Sequence, residues 1–105
     1  MDKELLKKII LGIATDYDYT IHNNYSGRYM YGETCLGISL DGDLNDYNQA
    51  VSDWLTQNFD DFIDENASKR EAIEMLNDAR KELLNYSWDS LGKGIIVYYK
   101  SIKGD

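Results

Sequence analysis

The chain has no proline, one cysteine and one histidine. Without proline there is no Pro-rich linker to divide it, and no internal repeat or low-complexity tract takes that role. Cys35 alone cannot close an internal disulfide. Zinc spacings such as C-x-x-C or H-E-x-x-H are missing, as are a Walker loop and a dinucleotide fingerprint. Long apolar runs are missing too. The N-terminal stretch Ile9 to Ile13 is broken by Gly12 and has no signal-peptide pattern, and nothing approaches the roughly 18 to 20 apolar residues of a membrane span. These absences predict a reducing cytoplasmic setting, no membrane contact, no metal and no cofactor.

Positive charge is scarce, and unevenly so. The formal net charge is −8, which disfavours direct contact with nucleic acid or anionic lipid, because like charges repel within a Debye length of about 8 Å. From Tyr29 to Ser68 there are nine acids and no Lys or Arg, whereas the rest of the chain holds ten acids and all eleven bases. The whole acidic excess sits in one block, and a basic protein is the partner it predicts.

What is present is enough for one domain, residues 1–105. The 105-residue chain is 43% hydrophobic and 12% aromatic, which supplies one core. Leu5, Leu6, Ile9, Ile10 and Ile13 recur at helical spacing from Asp2 to about Thr15, with Asp2 placed to cap the first turn. Tyr17, Tyr19 and Ile21 then alternate with polar residues as in a half-buried strand, and Asn23 to Gly27 reads as a turn. On the return arm, Arg28 to Leu40, the apolar parity flips near Gly32-Glu33. A β-bulge accounts for the flip, and a break into two short elements is the rival explanation.

A second helix is expected from Asp43 to about Asp64 through Leu44, Tyr47, Val51, Trp54, Leu55, Phe59, Phe62 and Ile63. Ser68 and Glu71 form a capping-box pattern that opens a third, to about Asn85. Gly92-Lys93-Gly94 is a flexible break before a final β-branched and aromatic strand, Ile95 to Ile102. The predicted class is α+β in the order α-β-β-α-α-β, a three-stranded, mainly antiparallel sheet with helices packed on one face.

On a helical projection with Asp43 at zero, Asp46 and Asp64 fall at about 300°, Asp53 at about 280°, Asp60 at about 260° and Asp61 at zero. Six aspartates thus lie within about 100°, opposite the apolar side, in a row about 31 Å long. Asp is a poor helix-surface residue, like charges at i,i+3 and i,i+4 repel, and Asp60, Asp61, Asp64 and Glu65 sit at the wrong end of the helix dipole. A row that weakens its own helix is what a binding surface looks like, and ordered carboxylates can stand in for phosphates before Arg and Lys clusters. The plain alternative is a solvated helix face. Asp41-Gly42-Asp43-Leu44-Asn45 begins like an EF-hand loop and then departs from it, so no calcium site is expected.

Two further groupings are weaker. His22 and Cys35 stand on neighbouring predicted strands, as a Cys/His nucleophile pair or, more simply, a buried thiol beside a surface imidazole. Tyr25, Arg28, Tyr29 and Tyr31 form a tyrosine-rich hairpin that could stack a nucleobase or simply pack on its own sheet.

The stretch Ser26 to Ile38, followed by the acidic helix, resembles small proteins of phages and mobile elements, over about a tenth of the chain. Small size, an acidic face and no catalytic apparatus make the chain similar in type to anti-CRISPR and anti-restriction proteins. That resemblance implies an inhibitor, not an enzyme, that occupies the nucleic-acid channel of a defence enzyme; no motif of a named inhibitor family is present to carry site residues over. An immunity protein or antitoxin neutralising a basic nuclease has the same chemistry. A nucleotide or small-molecule binder built on the tyrosine hairpin is the competing class.

Overall fold

The computed structural model describes residues 2–28 and 30–104. The element order is α1 (Lys3–Asp16), β1 (Thr20–Tyr25), β2 (Cys35–Leu40), α2 (Leu44–Asn58), a short 3-10 helix (Phe59–Phe62), α3 (Lys69–Leu83), β3 (Ser87–Leu91) and β4 (Gly94–Lys103). The class is α+β, with three α-helices on a four-stranded antiparallel sheet of order β1-β2-β4-β3.

The fourth strand corrects the expectation of three. Ser87–Leu91 pairs with β4 from Ser87 opposite Tyr98 to Leu91 opposite Gly94, so Gly92-Lys93 is a hairpin turn and not a flexible break. Gly92 takes φ +57°, a conformation that costs glycine little. The strand was hidden because it is an edge: its residues are largely exposed, and no clean alternation of apolar and polar side chains marks it.

The first hairpin is also shifted. Tyr17 caps α1, Asp18 takes φ +58°, and β1 begins at Thr20 and includes Asn23 and Asn24. The return arm is not one bulged strand. Residues 26–28 and 30–34 belong to no strand, with positive φ at Tyr31 and Gly32, and β2 begins only at Cys35. The register irregularities fall between His22 and Tyr25 on β1 and between Cys35 and Leu36 on β2, not at Gly32-Glu33.

Register sorts the side chains. Ile21, Ile38, Val97 and Trp88 lie opposite one another across the four strands, as do His22, Gly37, Tyr98 and Ser87 one row along on the other side. The first side meets the helices. Leu36, Ile38, Leu40, Ile95, Val97 and Tyr99 pack with Leu6, Ile9, Ile10 and Ile13 of α1, Tyr47, Val51, Trp54 and Leu55 of α2, and Ala79 and Leu83 of α3. Asp2 accepts from the Glu4 amide at 3.0 Å, as expected of that cap, and Ser68 Oγ accepts from the Glu71 amide at 3.2 Å, which is the Ser68 half of the predicted capping box.

Two contacts fix how the helices sit. A β-carbon on Gly12 would lie 2.6 Å from the Trp54 ring, so the missing side chain is what lets α1 and α2 approach. Trp54 Nε1 in turn donates to the Asp16 carboxylate at 2.6 Å. In the core, Tyr99 Oη donates to the Leu83 carbonyl at 2.7 Å and lies 2.6 Å from Tyr47 Oη. Because the Tyr99 proton is committed to Leu83, Tyr47 is the donor to Tyr99. This relay ties α2, β4 and the end of α3 together, and burial raises both phenols well above their ordinary range.

Candidate acidic surface

The acidic residues of the sequence block do not share one rod. α2 ends at Asn58, and the chain tightens into the 3-10 helix and then opens at Ile63. The projection at 100° per residue therefore holds for Asp43, Asp46 and Asp53 and lapses for Asp60, Asp61, Asp64 and Glu65. The last four remain exposed, but as a second group on the 3-10 helix and the connection to α3.

Several of the carboxylates have local structural tasks. The Asp46 amide donates to Asp43 Oδ1 at 3.1 Å and the Asp43 amide to Asp46 Oδ2 at 3.0 Å, a reciprocal capping box. Asp53 accepts from the Gln49 side-chain amide at 2.9 Å, and Asp64 accepts from the Asn66 amide at 3.0 Å. Asp43 and Asp46 thus open α2, where the helix dipole favours them, rather than standing on it at a cost.

The fold adds acids that the helical projection missed. Asp16, the last residue of α1, reaches α2 through Trp54, and Asp18 follows it into the turn, flanked by Tyr17 and Tyr19. The Tyr17 phenol is pushed up by burial, then by Asp53 and Asp16; that of Tyr19 by burial, then by Asp46 and Tyr17. The two rings stack with centroids 5.8 Å apart. They border an open cavity of about 370 Å³ that Asp18, Thr20, Ser39, Asp41 and Leu91 also line. A carboxylate surface therefore gathers from the α1–β1 turn, the β2–α2 turn and α2, around two aromatic rings. The sequence signal for it was the alternation Asp16-Tyr17-Asp18-Tyr19, which reads equally as a strand.

The tyrosine hairpin does not converge. Tyr25 turns onto the side of the sheet away from the helices, passes over Gly37 and donates its hydroxyl to Asp89 of β3 at 2.7 Å. Burial, then this bond, raises its phenol far above the ordinary range. Gly27 lies on the same side, so close that a β-carbon on it would meet the Tyr98 ring at 2.5 Å. Met30, Cys35 and Tyr98 form a small second core there, joined by Tyr25. Tyr31 is 93% exposed. Arg28 is exposed, and Tyr29 lies outside the described residues. Tyr25 is thus packed on its own sheet, whereas Arg28 and Tyr31 are left exposed.

His22 and Cys35 do not form a nucleophile pair. His22 Nε2 hydrogen-bonds Ser39 Oγ at 2.8 Å, whereas the Cys35 thiol is buried 3.6 Å from Met30 Sδ, with its pKa pushed up by burial. Among the described residues no group of three His, Cys, Asp or Glu side chains is placed to hold a metal ion, and no helix is long and apolar enough to cross a membrane.

No protein-family model, no curated protein and no solved structure matches the chain.

Proposed function

We propose that the chain is a binding protein that docks its acidic surface against a cation-lined groove of a nucleic-acid-binding protein, competing with the nucleic acid in the manner of an anti-CRISPR or anti-restriction inhibitor. The observation that carries this reading is that Tyr17 and Tyr19 adjoin carboxylates from separate parts of the chain: Asp18 and Asp41 line a cavity with both rings, and the charges of Asp16, Asp46 and Asp53 help to raise one phenol or the other. Between Tyr29 and Ser68 the sequence supplies no base to offset those on α2. Like charges at this density oppose folding by a few tenths of a kcal/mol per neighbouring pair, and a cationic partner would reverse the sign of that contribution.

Carboxylates present pairs of acceptor oxygens to guanidinium groups much as phosphates do, and tyrosine faces hold cations as well. A field of this sign steers a basic partner and makes association fall steeply with salt. Asp43 and Asp46 belong to the capping box and Asp18 holds a strained backbone position, so binding is reported most directly by Asp60 and by Asp53, whose one side-chain bond is to the exposed Gln49.

The test is DNA cleavage by a panel of CRISPR effectors, restriction nucleases and toxin nucleases with and without the protein. Inhibition relieved by excess non-cleavable DNA, and weakened tenfold or more by Asp53→Lys with Asp60→Lys, is the expected result. Inhibition indifferent to those changes, or none across the panel, would reduce the acidic surface to solvation. Inhibition confined to a toxin nuclease would make the chain an immunity protein or antitoxin.

A further inference from the structure

The strip beside the second acidic group is apolar. Leu55, Thr56, Phe59 and Ile63 on one side, and Ala72, Ile73 and Leu76 of α3 on the other, border a groove of about 250 Å³ whose lip carries Asp60 and Lys69. Asp61 follows Asp60 on the 3-10 helix, and Asp64 and Glu65 lie in the connection that leads from it to α3, all exposed. The first half of α3 has more apolar side chain than the core covers. Its fully buried residues, Ala79 and Leu83, belong to the second half, while Ile73 is 50% exposed and Ala72, Met75 and Leu76 are half-buried.

We infer that this groove receives the apolar face of a basic amphipathic helix, whose Lys or Arg residues meet Asp60, Asp61, Asp64 and Glu65. The inference rests on the proposed function, since it takes the partner to be basic, and adds how part of that partner is read. Charge and shape together select the occupant. The lip bears Lys69, and Lys8 of α1 sits over the Phe62 ring with its ammonium 5.8 Å from the centroid; against these stand four carboxylates on or next to the 3-10 helix. A second copy of the chain would bring a net charge of −8 to the same place. A lone apolar helix would leave the carboxylates unanswered, and an extended basic segment would leave Ile73 and Leu76 in water. A helix with apolar residues at i, i+3, i+4 and i+7 and lysines on its flanks satisfies both.

The probe is a synthetic helical peptide of about 18 residues, long enough to form several turns, made of Leu and Lys at amphipathic spacing. A scrambled peptide of identical composition is the control. Fluorescence anisotropy should give an affinity for the amphipathic peptide at least tenfold above the scrambled one, and amide shifts should concentrate at Leu55, Phe59, Ile73 and Leu76.

Ile73→Glu separates the two contributions, because it adds a negative charge while removing the apolar contact. It should weaken the amphipathic peptide tenfold or more and leave the scrambled one unchanged or tighter. Thr56→Trp, which fills the groove from an exposed position, should give the same loss without touching the core. Equal affinities for the two peptides, or shifts centred on Tyr17, Asp18 and Asp53, would overturn the groove while leaving the acidic reading intact. Failure of both peptides to bind at low salt would overturn both.

Discussion

The tyrosine relay in the core makes an asymmetric prediction about stability. Tyr47 donates to Tyr99, and Tyr99 donates to the Leu83 carbonyl, over 2.6 and 2.7 Å. Tyr47→Phe removes one donor and leaves the Tyr99–Leu83 bond in place, so its cost is that of one neutral hydrogen bond, about 1 kcal/mol. Tyr99→Phe removes the middle member. It strands the fully buried Tyr47 hydroxyl without an acceptor and the Leu83 carbonyl without its side-chain donor, and two uncompensated polar groups place the cost at about 2 to 4 kcal/mol. The double substitution removes the stranded hydroxyl as well, so it should cost no more than Tyr99→Phe alone. The coupling energy then offsets the sum of the single effects by about 1 kcal/mol or more. Urea unfolding of the four proteins, with unchanged m-values, measures this cycle. If Tyr47→Phe costs as much as Tyr99→Phe, or the two effects add, the direction assigned to the relay is wrong.

Asp18 carries a different expectation. It holds φ +58° at the carboxyl end of α1, where the Tyr19 amide donates to the Ala14 carbonyl at 2.8 Å and the Asp18 amide to Thr15 at 3.3 Å, a Schellman arrangement that favours glycine. Asp18→Gly should raise stability by about 1 kcal/mol, relieving backbone strain and an unfavourable charge at the helix end, as thermal denaturation would show. Gly12→Ala should destabilise by about 1 to 3 kcal/mol, because the new methyl meets the Trp54 ring at 2.6 Å; quenching or shift of tryptophan fluorescence together with a lower urea midpoint checks it. Stability should also fall as pH rises above about 10, where the unfolded chain releases tyrosine protons that Tyr47 and Tyr99, with raised pKa values, retain in the fold. Each such tyrosine contributes a slope of up to about 1.4 kcal/mol per pH unit, and absorbance of tyrosinate should appear together with unfolding rather than before it.

The three helices were legible because each carries its own periodic apolar stripe and its own cap, Asp2, Asp43 and Ser68. Those are local interactions, set by residues three or four positions apart. The end of α2 was not legible. Phe59, Phe62 and Ile63 continue the apolar spacing, and the tightened turn goes with the packing of Phe62 against Trp54, with ring centroids 5.9 Å apart, an indole that bonds an α1 carboxylate 38 positions away. β3 was invisible because an edge strand owes its pairing to a neighbour, here β4, and exposes most of its side chains.

The same division applies to the candidate site. That the chain is acidic, and that its bases avoid the stretch from Tyr29 to Ser68, is a property of composition and order alone. Which carboxylates stand together is a different matter. Asp16 reaches α2 through Trp54, 38 positions away, and Tyr25 reaches Asp89 across 64. Contacts at such separations depend on the closure of long loops and the stacking of whole elements, which no local pattern of residues encodes. Sequence alone determined the sign of the surface and the helices that bear it; the tertiary structure decided its shape, by ending α2 early and folding the α1–β1 turn against it.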